Sequence, residues 1–286
     1  MVGMWDASIK SNLRSNEVAA DYAKKANLDG TVAGVPHAYD FMAYAYLQLG
    51  QDSKAKALIN ESATIKKIIG ARLAGATAQA AVPARFMLER QDWSGAAQLT
   101  PFGTDIPAAE AITHFARAMG AARSGNLAAA EVDLQKLNDI RTGLEKASQP
   151  YWAGQVEIQI LAANAWLAQA QGNKEQALKF MRAAADVEDA SEKHVAMENR
   201  LYPMRELLGD MLIEHGRPGE ALKEYEASMK NARERLRGYY GAAKAAEASG
   251  DKQKAAEYYG AVARLTKDAD GERPEIREIR EKLSAR

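Results

Sequence analysis

Four histidines, His37, His114, His194 and His215, are the residues in this chain best suited to metal or acid–base work near neutral pH. Glu110 and His114 lie four residues apart, which on a helix places them on one face. His37 and His194 could in principle join them. A helical Glu/His pair holds a metal well only when a second helix supplies its counterpart. A metal-dependent enzyme or sensor built on His37, Glu110 and His114 is therefore the alternative reading, and packed or solvated histidines the first. His215 stands just before a glycine that ends a helix, where a cation suits the terminal carbonyls. Cysteine is absent, which excludes disulfides and thiol catalysis. The chain has no phosphate-binding glycine loop, no G-x-S-x-G and no H-E-x-x-H. The expectation is a protein that is not an enzyme and needs no cofactor.

Charge points the same way. Thirty-eight basic residues face 38 acidic ones, for a formal net charge of zero. Such balance argues against nucleic acid or an anionic membrane as the main partner. No apolar run approaches the roughly 20 residues that span a bilayer, so membrane insertion is not expected. The first residues, MVGMWDASIK, contain no apolar signal core. The compartment stays open, with a soluble, cytoplasmic place favoured. Apolar residues make up 47% and charged ones 27% of 286 residues. That composition suits a folded chain. The apolar residues recur at helical spacing and β-branched alternation is nowhere sustained, so the fold class is all-α.

The elements that would position any site are clearest in two adjacent stretches, Tyr202–Asn231 and Leu236–Leu265. When Gly216 is aligned with Gly250, Gly209 falls with Ala243, Ala221 with Ala255 and Tyr225 with Tyr259. The offset of 34 residues, with small residues where two helices approach and a glycine between them, describes a helix–turn–helix repeat. One such hairpin cannot bury its apolar face alone, so hairpins must stack. Turns are expected at 3, 50, 91, 125, 172, 216 and 250, with Gln91-Asp92-Trp93 replacing the usual glycine turn. Helices are expected over 37–49, 53–67, 84–90, 95–99, 108–123, 127–146, 150–171 and 174–187, with Pro83 opening the one at 84–90; the alanine- and glycine-rich 71–81 reads as a loosely specified helix. Residues 188–200 read as a polar connector. About six hairpins over 1–272 and a charged, solvent-facing capping helix over 273–286 complete the organisation.

With that pattern the chain resembles a tetratricopeptide-repeat protein over essentially its full length. Phrases such as HAYDFMAYAYLQLGQDSKA, ITHFARAMGAARSGN and RELLGDMLIEHGRPGEAL resemble the C-terminal part of uncharacterised bacterial repeat proteins. The resemblance implies a right-handed α-solenoid of antiparallel helix pairs. It brings no catalytic residues with it. It also implies a scaffold that binds a peptide or protein segment along its concave face.

Mapped on the repeat, the concave face collects His37, Asp40, Tyr44, Arg85, Glu89, Phe115, Met119, Arg123, Trp166, Glu206, Asp210, Tyr240 and Lys244. Aromatic and Met side chains there would anchor a ligand and the charges would orient it. Trp166, Phe115, Met119 and Tyr240 are expected to be more exposed than core residues. Trp93 and Trp5 read as packing residues. The first residues look like a turn and a second helix without its first. Trp5, Ile9, Leu13, Val18 and Tyr22 would then form an open apolar stripe. A missing upstream repeat, a second copy of the chain or a partner is expected to cover it. A purely structural role within a longer repeat protein is the remaining alternative.

Overall fold

The computed structural model describes residues 2–101, 103–192, 200–271 and 273–284. Fourteen helices make up almost all of its regular structure. They are α1 (Trp5–Lys25), α2 (Gly34–Gln48), α3 (Asp52–Ala63), α4 (Arg72–Glu89), α5 (Trp93–Ala97) and α6 (Pro107–Arg123). Then follow α7 (Leu127–Lys146), α8 (Pro150–Ala170), α9 (Lys174–Ala190), α10 (Met204–Glu214) and α11 (Pro218–Asn231). The last three are α12 (Leu236–Ala248), α13 (Lys252–Leu265) and α14 (Pro274–Ser284). Most helices pack on their neighbours in sequence, while α2, α4, α6 and α8 also pack one against the next.

The turns decide where these helices stop. All seven expected turn positions have positive φ, from 53° at Gln91 to 83° at Gly3 and Gly250. Glycine takes that conformation without cost, and Gln91 takes it with some. At six of them the following amide reaches back to close the helix end. Asn126 N–H donates to Ala121 O at 2.9 Å, and Asp251 N–H to Ala246 O at 2.9 Å. The next helix is then capped by the side chain beside the turn. Asp92, Asn126, Asn173 and Asp251 accept from the backbone N–H of Gly95, Ala129, Gln176 and Lys254. Two orphan ends are satisfied within three residues, so the chain reverses sharply and the helices run antiparallel.

Small residues let those helices approach. A β-carbon on Gly209 would lie 2.6 Å from the Tyr225 ring, and one on Gly241 2.3 Å from it. Tyr225 is 1% exposed, wedged between α10 and α12. At Gly120 a β-carbon would lie 2.4 Å from the Ala97 backbone, so α5 rests directly on α6.

Several expectations are corrected. Pro83 does not open a helix but lies inside α4, which begins eleven residues earlier at Arg72. Pro83 removes one backbone donor, and the alanine-rich flanks carry the helix through it. A two-residue parallel pair, Thr31–Ile68 and Val32–Ile69, ties two loops together, so the chain is not wholly free of strand. Helix α9 runs to Ala190, into the segment read as connector. The last helix is not a solvated cap. Arg273, Glu275, Ile276 and Ile279 are all buried, at 1–6% exposure.

That last correction reflects the largest difference from a simple row of hairpins. The end of the row folds back onto its start. Trp5 Nε1 donates to Glu234 O at 2.6 Å. Leu236 N–H donates to Gln48 Oε1 at 3.0 Å. The amides of Asp270 and Gly271 both donate to Gly50 O at 3.2 Å. Arg273, 2% exposed, donates to Asp52 at 2.5 Å and to Leu47 O at 3.1 Å. Helices α12–α14 thereby sit beside α1–α3, and the inner faces of the hairpins turn toward one another.

Trp5 is accordingly covered by its own chain and is 3% exposed. The apolar stripe on α1 is also not one face. At about 100° per residue, Trp5, Ile9 and Leu13 lie together, and Val18 and Tyr22 fall on the opposite side. Leu13, Val18 and Tyr22 are 46–58% exposed.

Candidate functional site

The inner face is a buried ionic network. Its centre is Arg235, at the end of the short linker between α11 and α12 and 1% exposed. Its Nε and Nη2 donate to the two Glu206 carboxylate oxygens at 2.7 and 3.0 Å. Its Nη1 donates to Tyr44 Oη at 2.7 Å and lies 2.8 Å from Glu89. Burial raises the Glu206 carboxyl above its usual range against the pull of Arg235, and raises the Tyr44 hydroxyl likewise. Arg85, 0% exposed, pairs with Asp40 at 3.1 Å and donates to the carbonyls of Arg200 and Leu201. The Arg85 guanidinium also lies over the Tyr44 ring, 4.6 Å from its centroid.

Beside this network the inner face opens into a cleft of about 230 Å³. Asp210 is its floor. It accepts from Tyr225 Oη at 2.6 Å, Arg237 at 3.3 Å and Gln91 at 3.3 Å. One wall is Arg123, stacked over Trp166 at 4.1 Å and Trp93 at 5.1 Å, and paired with Glu214 at 2.5 Å. The other is Tyr240 and Lys244 on α12, both partly exposed. Glu278 of α14 accepts from the Tyr240 hydroxyl at 2.5 Å and from Lys244 at 3.2 Å. Burial and that acceptor raise the Tyr240 hydroxyl well above its ordinary value.

Of the residues assigned to the concave face, Arg123, Asp210, Tyr240 and Lys244 line this cleft. Tyr44, Arg85, Glu89 and Glu206 form the buried network instead, with Asp40 at its edge. Phe115, Met119 and Trp166 are buried in the main apolar core at 0–2% exposure. The expectation that they would be exposed is therefore corrected. The end of the row packs on its start, so inner-face side chains meet protein rather than solvent. His37 stands apart on α2, edge-on to Phe41 with ring centroids 5.0 Å apart.

The histidine reading also changes. His114 is 7% exposed; its Nδ1 lies 2.7 Å from Asp133, and its Nε2 lies 3.5 Å from Glu110. Arg117 holds the same Asp133 at 2.9 Å and the Leu99 carbonyl at 2.7 Å. The two partners keep the Asp133 carboxyl below its usual range despite burial. The cluster joins α6 to α7 and to the loop after α5. His215 is pushed below its ordinary pKa, first by burial and then by Lys174, and bonds Gln169 at 2.7 Å. It therefore packs as a neutral ring more readily than as a cation. His194 lies outside the described residues. Among the described residues no three His, Asp or Glu side chains gather as a metal site. No described helix is long and apolar enough to cross a membrane.

Asp133, Tyr202, Arg235, Arg237 and Arg273 are the residues that sequence reasoning missed. Arg235 and Arg273 precede helices rather than belonging to a helix face, so a face map has no place for them. Asp133 carried a signal: an acid between Ala130 and Leu137 on the buried stripe of α7 needs a partner.

No protein-family model matches this chain, and no curated protein matches it.

Proposed function

We propose that the chain is a tetratricopeptide-type protein, its helix pairs forming a right-handed superhelix, and that it is a non-catalytic binding module. The repeat reading is supported by seven positive-φ turns at the expected positions and by the Gly209–Tyr225 approach. The observation that carries the binding reading is the cleft. Arg123, Asp210, Arg237, Tyr240 and Lys244 converge there from α6, α10 and α12 around open space of about 230 Å³. Both charge signs and an aromatic edge suit a peptide or protein segment with paired polar side chains. The volume takes a side chain or two rather than a whole helix.

The test is selection of a random-peptide phage library on the intact chain. Selected peptides are expected to lose at least about tenfold in affinity on the Tyr240→Ala, Lys244→Ala double variant, with its circular dichroism unchanged. Peptides that bind that variant as tightly, or no selected peptide at all, sink the reading. A purely structural role is the second reading. It is favoured by the Arg235–Glu206–Tyr44 network, in which inner-face side chains pair with one another. A metal-dependent role has less support, because His37 and His114 sit in separate clusters.

A further inference from the structure

The junction between the start and the end of the row differs from the hairpin interfaces. It is held mainly by polar contacts. Across it run the Trp5–Glu234, Leu236–Gln48 and Gly271–Gly50 hydrogen bonds and the buried Arg273–Asp52 pair. Ser53 N–H adds a bond to the Asp270 carboxylate at 3.1 Å. Its apolar part is the cluster of Trp5, Tyr44, Ala45 and Leu49, against which Leu265 packs, and the approach of Gly50 to Ile276 and Ala269. By contrast, one continuous apolar core runs from α4 through α14.

Two further observations concern the same junction. A pocket of about 410 Å³, open to solvent, lies along it, with Met4, Trp5 and Leu49 on one side and Glu234, Ala261 and Leu265 on the other. Buried polar atoms without a hydrogen-bond partner also gather there. Gln48 Nε2, Glu89 Oε2, Arg90 Nε and Arg273 Nη1 are among them. Buried charges contribute little net stability unless their hydrogen bonds are complete, and side chains lining an open pocket pack on one side only. Polar interfaces within one chain open more readily than apolar ones. A weak, underpacked seam between two well-packed parts opens before either part unfolds.

We propose that this seam is a latch: the α12–α14 end releases α1–α3 as a unit, opening the ring and exposing the buried Arg235–Glu206–Glu89 face while the hairpins stay folded. The device stands whether or not the cleft binds a peptide. Native-state hydrogen exchange on the full chain tests it. The amides of Ser53, Leu236, Asp270 and Gly271 find their acceptors only across the seam, so they report its opening directly. They are expected to exchange at least about tenfold faster than core amides of α6 and α8, with one shared opening constant and one shared denaturant slope. The Arg273→Gln variant should speed all four together and leave α6 and α8 unchanged. If that variant does not fold, the native chain alone decides. Exchange of the four only through global unfolding, at the protection of α6 and α8, overturns the latch. Four unrelated rates with no denaturant slope, the mark of local fraying, overturn it too.

Discussion

At Gly209 one hydrogen in place of a methyl group decides whether two hairpins can pack. The Tyr225 ring occupies the space that a β-carbon would take, 2.6 Å away. Tyr225 cannot retreat, because its hydroxyl is bonded to Asp210 and Gly241 closes on its other face. Gly209→Ala is therefore expected to destabilise the fold by about 1–3 kcal/mol through overpacking, despite the better helix propensity of alanine. Chemical denaturation measures it; a midpoint equal to or above that of the native chain contradicts the packing. The sequence exposed this position through its alignment with Ala243. What it concealed was that the ring between the helices also reaches into the cleft.

Between elements, Glu188 acts as a staple from the end of α9 to the start of α10. Its Oε2 accepts from Met204 N–H at 2.9 Å and pairs with Arg200 at 2.8 Å. Full burial raises its carboxyl from 4.5 to about 7, more than Arg200 lowers it. The folded state thus holds this proton more tightly than the unfolded chain. The resulting stability is fully present below about pH 4.5 and is lost as pH rises through about 7. Glu188→Gln keeps an acceptor for Met204 but cannot titrate. The stability difference between native chain and variant should shift by on the order of 3 kcal/mol between pH 4.5 and 7, favouring the variant as pH rises. Parallel pH profiles would refute the staple. The sequence showed only a run of polar residues here, because burial of Glu188 depends on α10 arriving beside it.

For the whole molecule, closure depends on Arg235. It touches Glu206, Glu89 and Tyr44, and so joins α12 to α10, α4 and α2. Arg235→Met keeps much of the volume but leaves two buried carboxylates without their cation. Breaking a buried pair in this way costs about 3–5 kcal/mol. The expected result is a large fall in the denaturation midpoint, partly restored by Glu206→Gln in the same chain. No fall, or no restoration, would show that the network does not hold the ring.

Local signals in the sequence determined the turns, their left-handed glycines, the Asp and Asn caps and the small residues between paired helices. Each of these depends on neighbours within a few residues, or on the hairpin partner that a short turn brings near. The tertiary structure alone decided what the inner face meets. Tyr44, Arg85 and Glu206 sit at positions that would face solvent in an open row. They are buried because the row curves until residues near 50 meet residues near 270. That curvature is a sum of small rotations between successive hairpins, and no local pattern specifies its total. Arg273 gains its partners, and Arg235 its contacts with Tyr44 and Glu89, only once the ends meet, and Lys244 and Tyr240 are left at the opening.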